Sequence, residues 1–424
     1  MAQDTEPGSD PSERELRLSK VGLALTITFL AAILTAGSVF ASLVILLDVQ
    51  DIEPARKLDA KTLFDLMKLS FGVVAGAGAL VALVVAYRRQ RVDEVGARRE
   101  ATRLHTERFS QAVDKLGSES PAVRLGGVHA LAGLADDAPD NNLRQTCIDV
   151  LCAYLQLPFT PDPGDDPAHR EEHHQYLALR NVRHTILRLI GDHYRRPKGT
   201  HRSWQGCDLD LRGVTVDCAL DFKDVTFSGS RVSFANATFS AGTVAFDRAT
   251  FDDRVSFAGA TFSGSTVLFR SATFSGGYVS FDSATFCDST VLFQSAAFSG
   301  GDVSFGGATF SAGTVTFGSA TFSGGNVFFG NAAFSGGDVS FGGATFSAGN
   351  VSFAGAAFSG GKVFFGSAAF SGGEVHFGGV TFSGSEIHFA DAVGVGAPPG
   401  LLDAAAATSA RVIGLPSAWL ATNP

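Results

Sequence analysis

"SGGDVSFGGATF" occupies residues 299–310 and returns, letter for letter, at residues 335–346. Between the copies stand "SAGTVTFGSATF" (311–322) and "SGGNVFFGNAAF" (323–334), the same dozen with other letters at the variable positions. The unit reads V-x-F-x-x-A-x-F-S-G-G-x and occurs about fourteen times. Residues two apart share one side of a β-strand, so V-x-F and A-x-F are each expected to bury two side chains and expose the letter between them. "SGG", "SAG" and "SGS" supply the permissive backbone of a corner. From Phe222 onward, Phe328 and Phe364 apart, the Phe spacing alternates five and seven, except that Phe251 and Phe257 are six apart in "FDDRVSF". That missing residue falls in the corner, where a length change leaves the strands on either side intact.

A twelve-residue unit cannot bury two Phe by itself, so successive units must stack. Twenty-nine Phe stand in the two series, and burial of each contributes about 1.5–3 kcal/mol before chain entropy is deducted. The expected product is a rigid rod with a Phe-filled core. The pattern resembles the pentapeptide-repeat proteins, whose unit A-[D/N]-[L/F]-x-x matches Ala237 with Phe239 and Ala272 with Phe274. The resemblance covers residues 209–389 and implies a right-handed, four-sided β-solenoid. Two extra corner residues in every other unit depart from the family pattern. Four strands per coil require about 24 residues and two strands about 12, and the family geometry favours the former.

Ahead of the repeats, residues 21–47 are uncharged, longer at about 1.5 Å per residue than a hydrocarbon core of about 30 Å. A second uncharged run occupies residues 69–87. Together they predict a transmembrane helical hairpin over residues 21–87 behind an N-terminal tail of residues 1–20. Arg88, Arg89, Arg91, Arg98, Arg99 and Arg103 follow the second run, which places both termini and the solenoid in the cytoplasm of an integral membrane protein. Gly72 and Gly76 form a G-x-x-x-G surface that would pack the two spans together or join two copies in a homodimer.

Residues 88–203 are expected to be α-helical, with a pair over 121–158 that is similar to a HEAT-type hairpin. Ser118 or Ser120 is its candidate N-cap, with Pro121 in the first turn. His169, Glu172 and His173 satisfy H-x-x-E-H, a zinc-ligand spacing that lacks a third ligand here and reads as a solvated helix start. Arg180, Arg183, Arg188, Arg195, Arg196 and Lys198 could touch anionic lipid or nucleic acid, but a solvated helix face is the favoured account of them. Residues 204–390 form the solenoid. The tail, 391–424, breaks the period and should cap its end through Leu401, Leu402, Ile413 and Trp419.

The formal charge of −9 is mild for 424 residues, and the five cysteines are odd in number and unclustered. A disulfide framework, a metal site and a cofactor are therefore not expected. The repeats offer Ser, Thr, Gly and Ala outward, which is not a catalytic set. His376 and His388 recur one unit apart, with no acidic partner assigned to them. A tethered scaffold for an undetermined protein partner is the favoured function. The alternative is a DNA-mimicking, topoisomerase-binding protein, as the resemblance implies for some members. It needs a denser acidic surface than ten acids against six bases over residues 222–389, and a nucleic-acid partner is not expected. The outward letter of V-x-F is Leu at 268 and 292 and Phe at 328 and 364, where Ser would do. Leu268, Leu292, Phe328 and Phe364 are therefore the candidate interaction surface.

Overall fold

The computed structural model describes residues 60–420 except 165, 241 and 408–410, together with a few positions between 26 and 38. The chain divides into two compact units, Met1–Ala101 and Thr102–Pro424. Helix α1 (Ala60–Leu116) runs through the division.

The first unit corrects the expected membrane hairpin. Among the described residues no helix is long and apolar enough to cross a membrane. Residues 69–87 do not end as a span at Tyr87, because α1 continues without a break through Arg88, Arg89 and Arg91 to Leu116. The uncharged run is a third of a 57-residue helix whose remainder is rich in Lys, Arg, Asp and Glu. Counting uncharged letters measured the run and not the helix that contains it. The first run, 21–47, lies largely outside the described residues. The integral-membrane localisation, with both termini in the cytoplasm, rested on these two spans and is corrected with them.

In the second unit, α2 (Pro121–Asp136) packs on α3 (Asn141–Gln156), and α4 (Arg170–Tyr194) packs against both. Asp140 caps α3 by accepting the Leu143 amide at 2.9 Å, satisfying one of the helix's orphan donors. At the start of α2, Ser120 holds the N-cap position without a side-chain bond.

The repeats form a parallel β-solenoid with four short strands per coil, eight strands being stacked on the first side and eight on the fourth. The first side starts at Leu209, the second at Thr215, the third at Leu220 and the fourth at Thr226. Register settles the coil length. Thr261 pairs with Thr285 and Val279 with Val303, 24 residues apart. Across the 252–254 corner the offset drops to 23, as in Val232 with Val255. Leu209 also pairs with Val232 at 23, whereas Leu220 pairs with Val244 at 24. A second shortened corner therefore lies at residues 217–219, where no Phe marks it.

Inside, Val, Ala and both Phe of each unit are buried. Equivalent rings stack from coil to coil, Phe281 on Phe305 at 4.8 Å and Phe293 on Phe317 at 4.7 Å between centroids. These distances are the strand spacing itself, so the backbone ladder places each ring in face-to-face register. Rings from the first and third sides meet edge-on, Phe293 to Phe305 at 5.7 Å and 88°, a favoured aromatic geometry.

Two corner types join the sides. The tight one spans F-x-x-A, with the Ala amide donating to the Phe carbonyl, as in Ala237 to Phe234 at 3.0 Å. Its third residue has positive φ, as in Asn236 (57°), Ser319 (55°) and Asp391 (59°), the signature of a type II turn. The wide "SGG" corner uses glycine for a second reason. A Cβ on Gly325 would lie 1.9 Å from the Gly301 carbonyl oxygen of the preceding coil.

The open edge of the first coil is covered by the helices. Gln145 bonds both the carbonyl (2.8 Å) and the amide (2.8 Å) of Asp208, and Gln156 donates to Asp210 O (2.8 Å). From α4, Arg183 donates to Thr215 O (3.1 Å) and to Leu155 O (2.8 Å), and Arg180 donates to Asp217 O (2.8 Å). Arg195 reaches Asp221 O (2.6 Å) and Lys223 O (2.9 Å). Side chains thus take the place of a missing coil, which blunts an edge that would otherwise recruit another strand. Gly191 lets α4 approach, since a Cβ there would lie 2.7 Å from Asp221 O.

At the far end the strand Arg411–Ile413 pairs with Glu386–His388. Leu401 and Trp419 are buried, the Trp419 ring lying edge-on to Phe370 and Phe389, both at 5.5 Å. Leu402 and Ile413 are half-buried.

Candidate functional site

Outward letters distinguish the four sides. The second and fourth present mostly Thr or Ala followed by Ser, a low and uncharged relief. The first and third carry the larger and charged groups. Along the third side, register lines up Ala245, Leu268, Leu292, Thr316, Ser340, Phe364, His388 and Ile413. Leu268, Leu292 and Phe364 therefore share one side. Phe328 stands on the first side between Ser304 and Ser352. Leu268 is largely sunk into the surface at 8% exposure, while Leu292, Phe328 and Phe364 are half-buried. The Phe364 ring stacks on His388 at 5.0 Å and 22°.

Between Leu292 and Phe364 the relief falls. A shallow depression of about 530 Å³ is lined there by Arg270, Gln294, Thr316, Gly318, Ser340 and Gly342. It forms because two successive coils carry small letters on the strand and glycine at the corner.

Acids near the N-terminal end of the rod are paired. Arg248 clamps Asp224 through bonds of 2.6 and 2.7 Å, and Arg270 clamps Asp247 through 2.9 and 3.0 Å. Both are contacts between successive coils. Hydrogen bonds from Arg248 hold the Asp224 carboxyl below its ordinary range, as those from Arg212 do for Asp210. On the first side Asp282 accepts from Tyr278 Oη, Ser280 Oγ and Gly306 N, each at 2.9 Å, and from Ser304 Oγ. Burial pushes that carboxyl up, and these four donors together outweigh it, so the net displacement is downward.

His376 and His388 do have acidic neighbours, Glu374 at 3.3 Å and Glu386 at 3.5 Å. The signal was present in E-V-H and E-I-H, because residues two apart on a strand face the same way. The two histidines stand on different sides and do not converge. In the H-x-x-E-H stretch, His169 Nδ1 meets Glu172 at 2.5 Å and His173 Nδ1 meets Asp162 at 2.7 Å. Among the described residues no group of three or more His, Cys, Asp or Glu is placed to hold a metal ion. Burial pushes the Cys147 and Cys218 thiols up to about 11 and that of Cys152 to about 12, so they stay protonated and poorly nucleophilic.

Of the basic residues on α4 and at its C-terminal cap, Arg180, Arg183 and Arg195 bond the first coil, which corrects the expectation of a solvated face. Arg188 pairs with Asp192 at 3.1 Å. Gly72 and Gly76 are exposed on α1, with open space where a Cβ would stand.

Compared with models of known protein families and with curated proteins, the chain matches none. The parallel coils of four short strands, joined at alternate corners by five-residue Phe-to-Phe steps, fit the pentapeptide-repeat architecture that the sequence resembles.

Proposed function

We propose that the chain is a pentapeptide-repeat scaffold that works by presenting a rigid surface to other proteins, without catalysis. The carrying observation is the relief of the third side. Leu292 and Phe364 stand over a depression at positions that gain nothing from the core, and exposed apolar relief of this kind marks contact surfaces. Acids of the first coils are tied up by arginines, which disfavours duplex mimicry, a role that requires free negative charge along the rod.

A photo-crosslinking amino acid in place of Phe364 on the third side, compared with one at Thr345 on the fourth, tests the proposal in cells. Protein adducts are expected from position 364 and not from 345. They should disappear when Leu268 and Leu292, which share the third side with Phe364, are changed to Ser with the β circular dichroism unchanged. Equal labelling from both sides would contradict it.

A further inference from the structure

Resting on the third side as a contact surface, we infer that one occupant of this side is a second copy of the chain, laid alongside with its rod antiparallel. Consider a two-fold axis running along the strands, between the coil of Ser340 and that of Phe364. It sets Phe364 over the second copy's Ser340 and His388 over its Thr316. The stacked Phe364–His388 pair thereby enters the depression floored by Thr316, Gly318, Ser340 and Gly342. The same axis sets Leu292 against Ile413, apolar against apolar. It also sets Lys362 against Asp338, one coil apart on this side, so opposite charges face each other twice. A single operation thus satisfies size and charge at four positions, which is the self-complementarity that a two-fold contact requires. Both rod ends are covered, Gln145, Gln156 and the α4 arginines closing one and Trp419 lying over the other. That leaves the sides for association.

Six coils at about 4.8 Å and a side about 15 Å wide bury roughly 900 Å² in total, below the about 1,200 Å² of stable interfaces. The dimer is therefore weak and concentration-dependent.

Sedimentation velocity of the full chain over a concentration series tests this with charge reversals. Lys362→Asp alone and Asp338→Lys alone each bring like charges together twice and should weaken self-association at least about tenfold. An equimolar mixture of the two variants restores both pairs and should associate as well as the unaltered chain. Misfolded variants cannot rescue one another, so the mixture also controls for folding. Phe364→Ser should weaken association without rescue. Single reversals that leave association unchanged, a mixture no better than its parts, or a chain that stays monomeric throughout would each overturn the inference. Adducts to other proteins from position 364 would still leave the scaffold proposal standing.

Discussion

Replacing Arg183 by Met should unfasten the first coil and leave the far end of the rod unaffected. Arg183 is buried, and its guanidinium donates to Leu155 O and Thr215 O while lying 4.6 Å above the Phe159 ring. Methionine keeps most of the packing and removes both hydrogen bonds. Each carbonyl left without a donor costs about 1–3 kcal/mol, and the lost ring contact about 0.5–2 kcal/mol. If water recovers part of this, a local loss of about 3 kcal/mol remains, a factor of about 150 in the opening equilibrium. Amide hydrogen exchange is the suitable assay, because a stacked repeat protein opens by segments and not all at once. The Leu209 and Leu211 amides, bonded to Arg231 O and Ser233 O, should lose about two orders of magnitude of protection. The Phe353 amide, bonded to His376 O, should lose none. Arg183→Lys should fall between, since one ammonium cannot reproduce the guanidinium fork. Unchanged exchange at Leu209, or an equal loss at Phe353, would refute the idea that α4 substitutes for a coil.

Phe305→Ala should cost about 3–5 kcal/mol locally, seen as faster exchange around Phe281 and Phe329, on which it stacks at 4.8 Å. Gly325→Ala should cost at least about 2 kcal/mol from positive φ and backbone overlap, whereas Ser319→Gly should stay within about 1 kcal/mol of the unaltered chain; comparable thermal shifts for the two would contradict the corner assignments. Asp282 has a folded pKa below its unfolded value, so its stabilisation is present above about pH 4 and disappears as pH falls through the lower, folded value. Exchange around Ser280 and Ser304 should therefore quicken in acid, and Asp282→Asn should abolish that dependence.

The repeat unit made most of the solenoid legible. Val, Ala and Phe positions could be assigned to the core because a two-residue period admits one inward set, and those residues are buried. Coil length was not legible, since 36-residue self-similarity suits coils of 12 and of 24; only the pairing of Thr261 with Thr285 decides. Positive φ at Ser319 and Arg248 was also hidden, because the pattern marks such corners by glycine and these carry side chains. The contacts of the arginines on α4 and at its C-terminal cap are hidden for a different reason. A polar helix face reads as solvated when its acceptors, the carbonyls of Thr215, Asp217 and Asp221, lie 26 to 37 residues away. At the candidate surface, the grouping of Leu268, Leu292 and Phe364 followed from a 24-residue coil. The depression beside them depends on Gly318 and Gly342 stacking in successive coils, which no single unit reveals.

The grouping of the third-side residues depends on four-sided coils of 24 residues, and a distance along the rod tests that most directly. Thr226 and Thr345 stand on the fourth side, joined through Thr250, Thr273, Ala297 and Thr321. Spin labels at the two ends of this column are five coils apart, so electron–electron dipolar spectroscopy should give a narrow distribution near about 24 Å. Coils of 12 residues would double the number of layers between them, and a distance near about 48 Å would contradict the four-sided rod and the face built on it.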